Sequence, residues 1–350
     1  MVAKAVGIRA LAAHLGLSIG TVSRALNGRR YVDQETRRRV IEAAATFGYA
    51  PNQSGRSLRQ GATGMVAMMV PVSGKVAVAD TIFMIVMEGL RVAIAESGLE
   101  LMVLFDDPND PDFAYLRRVT ERRLVDGLII ADIQRIDRRI DYLLQKEMPF
   151  AAFGRSTSPG DFPWVDLNFE GFAETAIDRF AALGHREIAC VTSSDEINYG
   201  FVMTDAYTAA LSRHGIPFRS DLIFRVEASE RGGYEFGERL LSVSKRPTAG
   251  ILANETMAIG LYRKMSEAGL RPGSDFSMIS FIEEPSARFL SPEATCFHTD
   301  FRLLGMRLAE ALLGAMAPRT KGDAALIQEV LPTEIRAGGH SALEVAGFAP

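Results

Sequence analysis

The stretch "GLSIGTVSRALNG", residues 16–28, sets an amphipathic pattern close to the start of the chain. Its apolar residues Leu17, Val22 and Leu26 recur at spacings of five and four, which predicts a short helix with one buried face. The opposite face carries four hydrogen-bonding side chains, namely Thr21, Ser23, Arg24 and Asn27. A helix of this composition is expected to contact a polar partner.

The residues before this helix predict a second one packed against it. The segment "IRALAAHL" (residues 8–15) has one apolar face, and Gly16 suits the left-handed conformation that ends a helix. Ser18 is then the expected N-cap of the next helix. Two short helices joined by a tight glycine-containing turn form a helix-turn-helix.

A third helix is predicted from Gln34 to Phe47, with Asp33 as its N-cap. Its expected inner face consists of Val40, Ile41, Ala44 and Phe47. The same helix carries a run of three arginines, Arg37, Arg38 and Arg39. These arginines form either a solvated face or a set of phosphate contacts.

Charge is distributed unevenly along the 350 residues, whose formal net charge is −4. The first 60 residues hold ten Lys and Arg against three Asp and Glu, a net +7. The remaining residues carry 29 basic and 40 acidic side chains, a net −11. A basic head on an acidic body indicates an anionic partner for the head alone.

From Met65 onward the pattern alternates between strands and helices. Eight apolar segments predict strands, at 65–70, 99–105, 125–132, 149–154, 187–192, 222–227, 249–254 and 276–283. Amphipathic segments predict helices between most of them, such as 80–98, 169–183, 201–214 and 255–269. This is an α/β pattern with parallel sheets covered on both faces, which eight units form either as one barrel or as two doubly wound lobes. The helix-free interruption at 155–168 favours two lobes.

Several classes of site and protein are not expected. Cys190 and Cys296 lie in apolar runs that predict buried strands, and the five histidines show no ligand spacing, so we expect neither a structural disulfide nor a zinc site. Walker, Rossmann, GxSxG and HExxH motifs are absent, so we expect no catalytic residues, metal, cofactor or enzymatic activity. No apolar run is long enough to span a bilayer and no signal peptide is recognisable, which favours a cytoplasmic location and no membrane partner.

Two stretches, "LAAHLGLSIGTVSRALNG" (11–28) and "TRRRVIEAAATFGYAPNQSGRSLRQGAT" (36–63), resemble the N-terminal signature of the lactose/galactose repressor (LacI/GalR) family of bacterial transcription regulators. The segments "VDGLII", "LGHREIA", "RPTAGILANETMAIG" and "ISFIEEPSARFLSPEATCFHTD" are similar as well, so the resemblance covers residues 7 to about 336. It implies a helix-turn-helix head, a hinge helix and a two-lobed core of the periplasmic-binding-protein type.

The resemblance also implies domain boundaries. We expect the head at 1–50, the hinge and linker at 51–64, the effector-binding and dimerisation core at 65–336 and a tail at 337–350. Within the core, one lobe is expected at about 65–164 plus 294–322. The other is expected at about 165–293 plus 323–336.

In the family, the second helix of the head lies in the major groove of DNA, which here corresponds to about residues 19–26. The expected DNA-binding residues are Ser18, Ile19, Gly20, Thr21, Ser23, Arg24, Asn27, Asn52, Arg56 and Leu58. Arginine reads guanine with two hydrogen bonds, while short hydroxyl and amide side chains fix the register on the backbone. The alternative for Arg24 is a surface charge with no specific partner.

The hinge of family members becomes helical on operator DNA, where a leucine from each subunit wedges into the minor groove and kinks it. The segment "GRSLR" matches this pattern, with Leu58 as the expected wedge. Gly55 stands where alanine is usual, and this predicts a hinge that is disordered without DNA. The alternative is that Leu58 is a simple packing residue.

The resemblance implies a small-molecule effector, expected to be a carbohydrate, at the carboxyl ends of the core strands. The expected effector-binding residues are Ser73, Arg155, Asn198, Tyr199, Phe201, Met203, Asn254, Ile282 and Glu283. Met203 and Ile282 stand where sugar-binding members carry an arginine and an aspartate. They either pack in the lobe walls or make the cleft unusually apolar.

An apolar cleft suits a ligand with an apolar face, such as a glucoside or disaccharide stacked on Phe201 and gripped by Arg155 and Asn254. The segment "FGRSTSPGDFPWVDLN" (153–168) also resembles regulators of alpha-glucoside uptake.

The family pattern further implies a repressor that binds a palindromic operator as a homodimer. The tail lacks a leucine heptad repeat, which favours a dimer over a tetramer. The alternative from another class is a solute-binding or sugar-processing protein with the same core, although this leaves the basic head unexplained. Deleting residues 1–60 separates the two, because a regulator then loses DNA binding and keeps ligand binding.

Overall fold

The computed structural model describes residues 7–26, 32–49, 62–71, 81–107, 110, 112–281, 289–317 and 326–336. The chain divides into two compact units, Met1–Thr63 and Gly64–Pro350. Each unit has its own hydrophobic core, so the two are described separately.

The N-terminal unit contains three helices: α1 Ile8–Leu15, α2 Ile19–Leu26 and α3 Gln34–Thr46. Gly16 ends α1 with a φ of 65°. The side chains of Ser18 and Asp33 accept hydrogen bonds from the backbone N–H groups of Thr21 and Thr36, so both predicted caps are confirmed. One fully buried residue from each helix forms the centre of the core, namely Leu11, Val22 and Val40.

The buried face of α3 is narrower than the sequence pattern predicts. Val40 and Ala44, one helical turn apart, are buried in the core of the unit. Ile41 is 51 % exposed, and Phe47 is partly exposed with its ring 4.6 Å from that of His14. Since successive helical residues are rotated by about 100°, Ile41 falls outside the stripe that contains Val40 and Ala44.

The first lobe of the C-terminal unit is built on a six-stranded parallel sheet. Its strands are β1 Met65–Pro71, β2 Glu100–Asp106, β3 Gly127–Ile130, β4 Phe150–Phe153, β5 Trp164–Leu167 and β11 Gln328–Leu331. They are arranged in the order β11-β5-β4-β3-β1-β2. The helices of this lobe are α4 Thr81–Ile94, α5 Ala114–Glu121, α6 Arg138–Gln145 and α11 Phe301–Met316.

The second lobe repeats this plan. Its strands are β6 Ile188–Ser193, β7 Ile223–Val226, β8 Ala249–Leu252, β9 Ser277–Phe281, β10 Thr295–His298 and β12 Glu334–Arg336. They are arranged in the order β12-β10-β9-β8-β6-β7, with β12 antiparallel to β10 and the other pairs parallel. The helices are α7 Phe169–Ala182, α8 Asn198–Arg213, α9 Glu230–Ser242 and α10 Thr256–Glu267.

The α/β fold with two lobes is confirmed, and all eight predicted strands are present. The lobe boundaries differ from those expected. β5 extends the first lobe to Leu167, β10 pairs with β9 in the second lobe, and β11 pairs with β5 in the first. These strands are only four residues long, so their local sequence does not reveal which sheet they join.

The interior of both lobes is apolar and contains the two cysteines. Cys190 in β6 and Cys296 in β10 are free and buried, and burial raises the pKa of Cys190 to about 12. The described residues include no group of three or more His, Cys, Asp or Glu that could hold a metal ion. Among the described helices, none has the length and apolar character needed to cross a membrane.

Candidate functional site

The exposed surface of the head centres on the first turns of α2. Ser18 accepts a hydrogen bond from the backbone N–H of Thr21 at 3.0 Å, so its hydroxyl oxygen holds the start of the helix. Ile19 follows and is 44 % exposed, an unusual position for a large apolar side chain. Ser18 therefore has a structural role at this position, and Ile19 is free to contact a partner of the head.

Arg24 is exposed one turn further along α2. Its Nε donates to the backbone carbonyl oxygen of Gly20 at 3.2 Å. A Cβ atom built at Gly20 would lie 3.9 Å from the Arg24 guanidinium and 3.7 Å from the Ser18 hydroxyl. These are ordinary van der Waals distances, so the space beside Gly20 would admit a Cβ atom, and the Gly20 carbonyl oxygen is what holds the arginine along the helix.

In the arginine run of α3, Arg38 forms ion pairs with glutamates of its own helix. The Arg38 guanidinium lies 2.7 Å from Glu35 and 3.0 Å from Glu42, and this cation lowers the pKa of Glu35. Arg38 is therefore neutralised within its own helix, which favours the solvated alternative for this residue. Thr21 and Ser23 are half-buried on α2. Four of the expected DNA contacts lie outside the described residues: Asn27, Asn52, Arg56 and Leu58.

The two lobes meet at the carboxyl ends of their strands. The backbone N–H of Asn198, at the start of α8, donates to the carbonyl oxygen of Ile133, just after β3, at 2.8 Å. The Asn198 side chain donates to the carbonyl oxygen of Arg155 at 2.8 Å. Asn198 is buried and uses both groups to join the lobes, so it is a structural residue of the cleft.

Arg155 follows β4 and is held by two carboxylates. Its Nε lies 2.8 Å from Asp166 in β5, and its Nη2 lies 2.5 Å from Glu170 in α7. Burial raises the pKa of Asp166, although the Arg155 charge acts in the opposite direction. Because these ion pairs occupy the guanidinium, the expected role of Arg155 as the main polar grip on an effector is not supported by this arrangement.

An aromatic cluster that is mostly buried lies beside this ion-pair group. The Tyr199 ring stacks on the Phe169 ring with centroids 4.8 Å apart and planes 16° apart, and Phe169 contacts Phe281 at 4.2 Å. Burial raises the pKa of the Tyr199 phenol, and the nearby Asp132 carboxylate raises it further. Phe169 and Phe281 are buried, so within this cluster only the partly exposed Tyr199 ring can present an apolar face to a ligand.

Two expected effector residues have other roles. Met203 is fully buried in the hydrophobic core of its lobe, which favours the alternative that it is a packing residue. The Phe201 ring has the guanidinium groups of Arg135 and Arg225 over it, at 5.1 and 5.2 Å from its centroid. A sugar cannot stack where these groups lie.

Asn254 is half-buried after β8, and its Oδ1 accepts a hydrogen bond from the backbone N–H of Thr256 at 2.6 Å. Its amide nitrogen is directed elsewhere and remains a candidate donor to a ligand. Ser73, Ile282 and Glu283 lie outside the described residues.

The structure identifies further residues near the lobe boundary that sequence reasoning missed: Asp132, Arg135, Asp166, Phe169 and Glu170. The sequence does contain a sign of Asp166, since a carboxylate inside the apolar strand "WVDL" needs a charged partner. It contains no such sign of Phe169, because an aromatic residue at the start of an amphipathic helix is typical of core packing.

Comparisons with known proteins agree with the two-unit architecture. Residues 8–52 match the family model "Bacterial regulatory proteins, lacI family", and residues 177–339 match the model "Periplasmic binding protein-like domain". The HTH-type transcriptional regulator AglR of Rhizobium meliloti (strain 1021) is 30% identical over 317 residues, covering 89% of this chain and 88% of AglR.

Two solved structures are similar across the chain. The Lac repressor dimer bound to operator and the anti-inducer ONPF has a TM-score of 0.83 at 22% identity, covering 97% of this chain and all of that chain (100%). The complex of the transcriptional regulator CelR with cellobiose has a TM-score of 0.71 at 23% identity, covering 96% and 99%. The structural likeness concerns the fold, and the sequence relationship to AglR extends over both units. The chain belongs to the LacI family of bacterial transcription regulators and is a DNA-binding regulator of transcription rather than an enzyme.

Proposed function

We propose that this regulator is a homodimeric repressor whose affinity for a palindromic operator is controlled by a carbohydrate bound between the two core lobes. The partly exposed Tyr199 ring, held by stacking on Phe169 beside the interlobe contacts, is the observation that carries the ligand class. Sugars present C–H faces to aromatic rings and hydroxyl edges to carboxylates and amides. Asp132 and Asn254 supply such groups here. Operator binding would place the protein with the chromosome, in the cytoplasm.

The ligand most consistent with this cleft is a glucoside or a disaccharide. Met203 stands where sugar-binding relatives carry an arginine, and its burial leaves no charged group at that position. Arg155 is already occupied by Asp166 and Glu170. Because buried hydroxyls without partners cost about 1 to 3 kcal/mol each, a small ligand that is polar on all sides is disfavoured. The CelR structure contains cellobiose, a disaccharide, in a protein of the same fold.

The homodimer is supported by an exposed apolar surface on the first lobe. Met84 and Ile85 on α4 are 55 % and 39 % exposed, and Val103 and Phe105 on the edge strand β2 are 39 % and 63 % exposed. An edge strand flanked by apolar side chains is suited to association with another chain. A second copy placed there by a two-fold axis would present two heads to the two halves of a palindrome.

On the operator, Arg24 and Ile19 are proposed to contact base edges in the major groove, while Thr21, Ser23 and Asn27 contact the backbone. Gly20 contributes no side chain to this contact, and its carbonyl oxygen accepts the hydrogen bond that holds the Arg24 guanidinium along the helix. Leu58, Asn52 and Arg56 are proposed as hinge contacts in the minor groove. Replacing Leu58 with alanine should then reduce DNA bending without affecting effector binding.

A thermal-shift screen tests the ligand class directly. Sucrose, maltose, trehalose, cellobiose, raffinose, glucose, galactose and ribose are each added to the full-length protein, with inosine as a ligand from another class. A ligand present at 100 times its dissociation constant stabilises the folded state by about 2.7 kcal/mol, which raises the melting temperature by several degrees. The proposal expects the largest shift with a glucoside or disaccharide. A shift with inosine and none with any sugar would contradict it.

A further inference from the structure

Residues on the two sides of the cleft mouth contact each other directly. The segment after β3 and the segment before α8 form an antiparallel bridge between Gln134 and Ile197. The hydrogen bond from the Asn198 N–H to the Ile133 carbonyl oxygen lies next to this bridge. The bridge and this hydrogen bond thus join the two lobes at one point of their boundary.

Arg135 extends this contact through its side chain. Its guanidinium lies over the Phe201 ring, 5.1 Å from the centroid, and its Nη1 lies 3.6 Å from Asp205 Oδ2. Arg135 belongs to the first lobe, whereas both partners are on α8 in the second. The ion pair is weak because both side chains are largely exposed, so the ring contact is the stronger of the two.

The loop at residues 155–158 fixes the backbone that carries Arg135. The carbonyl oxygen of Arg135 accepts hydrogen bonds from the Ser156 hydroxyl at 2.9 Å, the Thr157 N–H at 2.8 Å and the Thr157 hydroxyl at 2.6 Å. Ser158 accepts a further hydrogen bond from the N–H of Asp137 at 2.7 Å. This serine- and threonine-rich loop lies within the segment that resembles alpha-glucoside regulators, and here its polar side chains orient a neighbouring loop.

We propose that Arg135 is a positioning residue that latches the two lobes through the Phe201 ring and so favours the closed cleft. The contacts of its guanidinium with Phe201 and Asp205 join the two lobes, so they exist only while the lobes are together. Losing them shifts the equilibrium toward the open cleft by the free energy of those contacts. The consequence for effector affinity rests on the proposed function, whereas the latch itself does not.

Hydrogen exchange of the full-length protein without ligand tests the latch. The Asn198 amide donates across the lobe boundary, so its exchange reports opening of the cleft mouth. The variant Arg135→Gln should accelerate this exchange about two- to fivefold, the factor expected for losing one exposed cation–π contact. The amides of β6 should not change.

Arg239→Gln is the matched control. Arg239 lies over the Phe224 ring at a similar distance, 5.0 Å, and both residues belong to the second lobe. Its loss should therefore leave Asn198 exchange within error of the unmodified protein. A Phe201→Leu variant should accelerate exchange as Arg135→Gln does, and the double variant should add little, because both remove one contact.

Unchanged Asn198 exchange in Arg135→Gln would overturn the proposal, and so would equal acceleration in Arg239→Gln. Neither result involves a sugar, so failure here leaves the effector proposal intact. Conversely, a sugar screen without any response would leave the latch result standing.

Discussion

Arg155 and Glu170 join the two lobes of the core by an ion pair, with Nη2 of the arginine 2.5 Å from Oε2 of the glutamate. Arg155 follows strand β4 of the first lobe, whereas Glu170 is in the first turn of α7, which packs in the second. Asp166 binds the same guanidinium from inside the first lobe. Arg155 thus links the two lobes. A substitution at this position should lower the stability of the fold more than it lowers the affinity for a ligand.

Replacing Arg155 with methionine should destabilise the protein by about 2 to 4 kcal/mol, because Asp166 would remain as a buried charge without a partner. This is slightly below the range for a fully buried pair, since the Arg155 side chain is 24% exposed. Urea unfolding at pH 7 measures the change. The exposed pair of Arg263 and Glu267 is the control, and Arg263→Met should change stability little.

The cost of Arg155→Met should depend on pH. Burial raises the pKa of Asp166 above its ordinary value of 3.8, and removing the guanidinium raises it further. The folded carboxyl then binds its proton more tightly than the unfolded one, so the destabilisation is largest above the folded pKa and shrinks as pH falls toward 3.8. A cost that is constant from pH 7 down to pH 4.5 would contradict this assignment.

Arg24→Ala should weaken binding to a duplex selected by the unmodified protein from a random library by about 1 to 3 kcal/mol, with a smaller loss on a scrambled duplex. Arg38→Ala is the control in the same unit, because Glu35 and Glu42 already pair with this arginine. Fluorescence anisotropy titrations at several salt concentrations measure both. Equal losses for the two variants would show that Arg24 acts only through its charge.

Asn254 has two separable roles that two substitutions distinguish. Asn254→Ala removes the oxygen that accepts the Thr256 N–H and should cost about 1 kcal/mol of stability as well as effector affinity. Asn254→Asp keeps the accepting oxygen and loses only the amide donor, so it should weaken sugar binding with stability preserved. Calorimetry with the best sugar of the screen, together with urea unfolding, provides both values. Undiminished sugar affinity in the aspartate variant would exclude Asn254 from the site.

Phe105→Lys should convert the dimer into a monomer, because it places a charge in the exposed apolar surface of β2 and α4. Phe218→Lys is the matched control, since Phe218 is a comparably exposed phenylalanine that lies in the second lobe beyond α8. Sedimentation velocity at micromolar concentration reports the oligomeric state. A dimer that persists in Phe105→Lys would exclude this surface as the interface.

The head could be predicted from its sequence almost residue by residue. Gly16, Ser18 and Asp33 are local signals, and each acts within four residues of its position. The error at Ile41 arose because an apolar side chain next to a buried one was assigned to the same face.

In the core, the short strands and the ion pairs between distant segments could not be predicted from the sequence. Eight strands are predictable from their apolar segments, whereas β5, β10, β11 and β12 depend on pairing with distant strands. The role of Arg155 could not be predicted, since its partners Asp166 and Glu170 are brought to it by the fold. Phe201 is predicted from the sequence as a stacking surface, but the arginines that cover it come from two other elements, which the sequence does not reveal.

The most direct test of the account is the operator affinity of the full-length protein with and without the sugar that gives the largest thermal shift. Binding in the cleft between the lobes should change the dissociation constant for the selected duplex at least tenfold, which corresponds to a coupling free energy of about 1.4 kcal/mol. A protein lacking residues 1–60 should bind the same sugar and no DNA. An operator affinity that stays the same with saturating sugar would contradict the claim that this cleft controls DNA binding.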